Sequence, residues 1–173
     1  MSENITINLE GLNKKEREQL LGLVEKAKGV EKSEKVWKPE YGDWYWYISS
    51  DGQVDNCEWV NGPMDLGRYA MGNCFRTREE AEFAREKQKI KTELQRYALE
   101  HNDPEKEAWN LKNSHFGLVL KHDTKDIGQT DLRIFQDESV TCFTSASIAR
   151  DAIGAVGRER ILKYIFGVES EEE

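Results

Sequence analysis

The side chains best suited to hold a metal, attack a substrate or shuttle a proton are His101, His115, His122, Cys57, Cys74 and Cys142. Their spacing argues against each of these uses. There is no H-E-x-x-H, no histidine pair at helical spacing, no cysteine beside a histidine and no C-x-x-C. Zinc sites and thiol redox centres rely on such spacings to bring their ligands together. Asp123–Thr124–Lys125–Asp126 lacks the ligand spacing of a calcium loop, and no glycine-rich turn follows a strand to cradle a phosphate. The expectation is a protein that is not an enzyme, with no catalytic residue, no metal and no cofactor. The odd cysteine count fits a reducing compartment. Cys74 and Cys142 read as small buried hydrophobes, a bond between the two being the alternative.

Two constellations could bind. In Trp44–Tyr45–Trp46–Tyr47 successive side chains point to opposite faces of a strand, so one aromatic pair is buried while the other faces outward unless a helix covers it. Tyr45, Tyr47, Trp59 and Tyr69 are the candidate protein-binding aromatics, and they would serve equally as a stacking platform for bases. Arg85, Lys87, Lys89, Lys91 and Arg96 lie on a long helix. Of these Arg85, Lys89 and Arg96 keep rough helical register, which makes them the nucleic-acid candidates. Glu82, Glu86 and Glu93 lie within ion-pairing reach of them, so a solvated, self-neutralised face is the stronger reading.

The bulk charge points the same way. The 173 residues carry 33 acids and 25 bases, a net of -8. Residues 1–36 are neutral, whereas 37–103 and 104–173 each hold 13 acids against nine bases. An acidic chain repels phosphate backbones, so direct nucleic-acid binding is not expected, whereas docking on a basic groove of another protein is. No apolar run approaches a membrane span and Met1 is followed by polar residues. The expectation is a cytoplasmic protein with no membrane partner.

The elements that position these residues show an internal repeat. Phe75 is followed by Thr77, Ala81 and Ala84; Phe143 is followed by Ser145, Ala149 and Ala152, at identical offsets. Each copy follows strand formers and opens a helix. In the first, Trp44–Ile48 and Val54–Val60 form a hairpin about Asp51–Gly52. Asn61–Gly62–Pro63 and Gly72–Asn73 mark turns, and Thr77 with Glu80 caps a helix running to Asp103–Pro104. In the second, Phe116–Leu120, residues 132–135 and Val140–Phe143 read as strands, Asp123–Thr130 as a polar loop, and Ser145 as the start of a helix that Gly154 and Gly157 break or kink. The fold class is α+β, two tandem antiparallel strand-meander-plus-helix units over 36–103 and 104–168. An acidic tail follows, and a small N-terminal βα module with its linker precedes them over 1–35. In that module Leu20, Leu21 and Val24 form an apolar stripe too short to stand alone. It would dock on the main domain, on a second copy as a homodimer, or on a partner.

The motifs W-K-P-x-x-G-x-x-Y-W-Y-I (Trp37–Ile48), D-G-x-V (Asp51–Val54) and R-Y-x-x-G-N-C-F-x-T-x-E-E-A-E (Arg68–Glu82) also fit a known pattern. With F-x-S-x-x-x-A from Phe143 and the closing K-Y-x-F-G-V (Lys163–Val168), residues 36–168 resemble small accessory proteins of phages and prophages of Gram-positive bacteria. The resemblance implies a non-catalytic binding protein that blocks a bacterial host protein or nucleoprotein, such as a CRISPR effector. That would make it a counter-defence inhibitor of the anti-CRISPR kind. The readings from other classes are a binder of a small nucleotide signal and a nucleic-acid-binding regulator.

Overall fold

The computed structural model describes residues 37–134 and 136–168. The N-terminal module, with Leu20, Leu21 and Val24, therefore lies outside the described residues. The chain divides between Lys38 and Pro39, and the account below concerns the unit that begins at Pro39.

The fold is mixed α+β. β1 (Trp44–Ile48) and β2 (Val54–Glu58) pair antiparallel as a first hairpin. α1 (Pro63–Ala70) and the long α2 (Arg78–His101) follow. β3 (Phe116–Lys121) and β4 (Asp126–Asp131) form a second antiparallel hairpin, followed by α3 (Ala146–Val156) and α4 (Arg158–Tyr164).

The repeat is visible atom by atom. Trp46 and Phe75 exchange both backbone hydrogen bonds at 2.9 Å, so Phe75 adds one residue of a third strand beside β1. Phe116 and Phe143 do the same at 2.8 and 2.9 Å. Two residues on, a hydroxyl caps each helix: Thr77 Oγ1 accepts from the Glu80 amide and Ser145 Oγ from the Ile148 amide, each at 3.2 Å. The meander thus consists of a hairpin plus a one-residue bridge in each unit.

An asparagine amide closes each unit. Asn73 both donates to Ile48 O and accepts from Ile48 N, at 2.8 Å each, in place of a strand partner. Asn102, which ends α2, donates to Cys142 O at 3.1 Å and accepts from Thr144 N at 3.0 Å.

α2 serves both units. Ala81 is buried near the first hairpin, while Ile90, Leu94 and Ala98, four residues apart, enter the main core with Phe143, Ala149, Ala152, Ile153, Val156, Ile161 and Leu162. Phe83 is exposed and lies against Tyr164. Phe143 is fully buried. Phe75, at the equivalent place in the repeat, is only half-buried, because the main core that encloses Phe143 does not reach it.

Three further expectations change. Asp123–Thr130 is not a loop: the chain turns at 122–125, and β4 pairs through Asp126–Asp131 along an apolar β3. Backbone pairing and the burial of Ile127 outweigh the weak strand preference of Asp126, Gly128 and Asp131. Leu132 is bonded to His115 O but stands just past the strand, and Phe135 lies outside the described residues. Gly154 stays inside α3; Gly157, at φ +104°, makes the break that separates α3 from α4.

Candidate functional site

The first hairpin sorts its aromatics by the period of two. Tyr45 and Tyr47 face one side with Cys57 and Asp55; Trp44 and Trp46 face the other with Glu58 and Asn56. Tyr45 is fully buried, as is Trp59, whose ring meets it edge-on at 5.6 Å. Neither can therefore be a contact residue. Tyr47 and Tyr69 are half-buried, Tyr47 beneath the Arg68 guanidinium at 3.5 Å and Tyr69 edge-on to Trp59. An exposed aromatic comes instead from the opposite face: Trp44 is 62% exposed. Trp46 is half-buried, with Arg78 above its ring and Phe75 alongside.

What covers the tyrosine face is α1, an element missed in the sequence because Asn61–Gly62–Pro63 reads only as a turn. The signal was present. Pro63 occupies the first helical position, where no amide is needed. Asp65, two residues on, accepts from the Gly62 and Val60 amides at 3.0 Å each. The far end closes on Gly72 at φ +69°, with Asn73 N bonded to Arg68 O and Gly72 N to Tyr69 O.

α1 is inside-out. Its two charged residues point inward with Tyr69, and Met64 and Leu66 point outward. Tyr45 Oη donates to Asp65 Oδ1 at 2.8 Å and accepts from Arg68 Nη1 at 2.9 Å, and the same Nη1 lies 3.2 Å from Cys57 Sγ. Burial opposes ionisation of Asp65. The Tyr45 hydroxyl, the two amides and the Arg68 charge outweigh it and hold the carboxyl below its ordinary range. Burial also opposes the charge on Arg68, and Tyr45 leads the contacts that reverse this. Burial, with the neighbouring Cys57, pushes the Tyr45 phenol far above its usual value. The three groups form a neutral–anion–cation lock, none of whose members changes charge near neutral pH.

The outward face of α1 shows Met64, Leu66, Gly67, Ala70 and Met71 to solvent, with no charge among them. Met64 is 70% exposed and Met71 84%. Val60, just before α1, is exposed too, as are Tyr41 and Trp44 at the open end of the hairpin, where Gly42 N donates to Trp59 O at 2.9 Å. Isolated exposed apolar residues are ordinary, whereas several on one short helix with no charge between them are less so. Exposed methionines supply an adaptable contact surface.

The remaining candidates do not converge on this surface. Arg85 and Lys89 both pair with Glu86, at 3.2 and 3.0 Å, as the spacing suggested; Arg96 is exposed further along α2. His101 stacks on Tyr97 and bonds its carbonyl, while buried His115 stacks on Trp109 and donates from Nε2 to Glu107 O at 3.2 Å. The cysteines are free and half-buried. Burial pushes the Cys74 thiol up to about 11 and raises that of Cys142, so both stay protonated and unreactive. Among the described residues, no three His, Cys, Asp or Glu side chains converge as a metal site, and no helix is long and apolar enough to cross a membrane. A mostly apolar pocket of about 140 Å³ lies between α2, β3 and α4, lined by Leu94, Leu118, Val140, Ile161 and Phe166 with Lys91.

Fold and surface together define an α+β domain of two hairpin–helix units that carries an uncharged apolar helix face on its first unit. No family model, no curated protein and no solved structure matches this chain.

Proposed function

We propose that this protein is a non-catalytic binding protein that occupies a surface on another protein through the apolar face of α1 and the adjoining end of the first hairpin. The observation that supports this is the orientation of α1. An eight-residue helix that turns Asp65 and Arg68 inward and Met64 and Leu66 outward, with Met71 exposed at its C-cap, places on the surface what a self-contained domain would bury. The Tyr45 lock fixes that orientation, so the face is presented on a rigid support. The sequence pattern of residues 36–168, which resembles phage and prophage accessory proteins, favours a bacterial host protein or nucleoprotein as the partner and counter-defence inhibition as the role.

The test is a comparison of two purified proteins, the natural chain and a Met64→Ser/Met71→Ser variant of unchanged circular dichroism. Each is used to retain proteins from a Gram-positive host extract. A partner retained by the first and lost by the second supports the proposal. A partner retained equally by both rejects this face as the site.

A further inference from the structure

We propose that the pocket between α2, β3 and α4 binds a small monocarboxylate whose body is a single aromatic ring or a chain of similar bulk. The site shares no residue with the α1 surface and does not rest on it. Leu94 and Ile161, which line the pocket, belong to the buried core. Leu118, Val140 and Phe166 also line it and are only half-buried, so part of their apolar surface is left to water. Protein interiors hold few voids larger than a water molecule. An apolar cavity of about 150 Å³ lined by such side chains takes up one benzene. This pocket measures about 140 Å³.

The side formed by the end of α4 is held in place. Gly167, at φ +68°, turns the chain there, and Val168 N returns to Leu162 O at 2.9 Å while Phe166 N bonds Ile161 O at 3.3 Å. A wall already ordered lowers the cost of binding.

The polar groups decide the ligand's charge. Lys91 is the one charged side chain among the described residues that line the pocket. The acids of α2 near it are engaged elsewhere: Glu86 pairs with Arg85 and Lys89, and Glu93 with Arg160 of α4 at 2.7 and 2.9 Å. One turn to either side of Lys91 stand Lys87, Gln88, Leu94 and Gln95, none of them an acid. Lys91 makes no ion pair with a described residue. The Ser139 hydroxyl donates to Asp137 Oδ1 at 2.7 Å, whereas the Thr141 hydroxyl is bonded to no described residue. One ammonium and one hydroxyl beside an apolar pocket suit a single carboxylate on an apolar body. A nucleotide would bring more charge than one lysine answers and more volume than the pocket holds.

The test is a titration of the isotope-labelled full chain, followed by the NMR shifts of its amides, with benzoate, benzene and benzylammonium as probes. Benzoate should move the amides of Leu118, Val140 and Ile161 with a Kd of about 1 mM or below. Benzene and benzylammonium should bind at least about fivefold more weakly. Lys91→Gln should weaken benzoate by about fivefold or more and leave benzene unchanged. Leu118→Phe, or Ile165→Phe should that variant not fold, should abolish the shifts by filling the pocket. Equal binding of benzene and benzoate, with benzoate indifferent to Lys91→Gln, overturns the carboxylate. Absence of shifts with every probe, or benzoate shifts that persist in a folded filled variant, overturns the pocket as a ligand site.

Discussion

The Tyr45 hydroxyl donates to the Asp65 carboxylate at 2.8 Å across twenty residues of chain, and this bond ties α1 to the first hairpin. Removing the hydroxyl leaves one lobe of a buried carboxylate without its donor. Tyr45→Phe should therefore destabilise the protein by about 1.5–3 kcal/mol, read as a shift of the urea midpoint at unchanged slope. Asp65→Asn should cost at least as much, because an NH2 group would face either the Tyr45 hydroxyl or the amides of Val60 and Gly62. The pH dependence follows from the depressed carboxyl of Asp65. Its stabilisation is complete above the ordinary aspartate value and is lost as pH falls through the lower folded-state value. The stability gap between the natural chain and Asp65→Asn should thus be constant near neutrality and narrow below about pH 4. A gap that widened on acidification would contradict the lock.

The two bridge phenylalanines should separate in their cost. Phe143 is fully buried among the helices, so Phe143→Ala should cost about 3–5 kcal/mol. Phe75 holds the equivalent backbone position but is only half-buried, and Phe75→Ala should cost about half as much, since less apolar area returns to water. Equal costs in urea unfolding would mean that the burial difference has no energetic weight.

Gly117 stands in β3 where a side chain has no room. A Cβ there would come within 2.7 Å of Val140 Cγ1 and 2.9 Å of Leu132 Cδ1. Gly117→Ala should destabilise by about 1–3 kcal/mol despite the gain in strand preference that alanine normally brings. Gly117→Ala combined with Val140→Ala should recover part of the loss, because the second substitution removes the nearest obstacle. Additive losses in the double variant would show that the two sites do not touch.

What could be read from the sequence divides along physical lines. The repeated offsets after Phe75 and Phe143 were legible because hydroxyl caps and helix periodicity are local properties, and both caps and both helix starts fall where the spacing puts them. The boundaries of α2 were legible for the same reason, with Thr77 at one end and Asp103–Pro104 at the other. β4 was not, since Asp126, Gly128 and Asp131 are weak strand formers and the strand is held by pairing with β3. α1 escaped because its apolar residues point outward. A periodicity argument looks for a buried stripe, and here the inward stripe consists of Asp65, Arg68 and Tyr69. The same inversion moved the candidate surface. The period of two showed that one aromatic pair must be turned inward, and only α1, held by Asp65, decides that this pair includes Tyr45 and that Trp44 is left outside.

Stability and binding should therefore respond to different residues of the same unit. Tyr45→Ala/Tyr47→Ala strips a fully buried ring and the cation-bearing one beside it, so this variant should unfold at much lower urea and cannot report on contact. Met64→Ser and Met71→Ser change side chains that are mostly in water. Each should leave the unfolding midpoint within about 0.5 kcal/mol of the natural chain. The same substitutions should lower the fluorescence of an added hydrophobic dye, because that dye reports exposed contiguous apolar surface and α1 carries such a surface with no charge on it. Trp44→Ser should act in the same direction, as Trp44 is itself 62% exposed. If dye binding is unchanged in all three variants while their stability falls, Met64, Met71 and Trp44 are packed in solution, and the apolar face is not available to a partner.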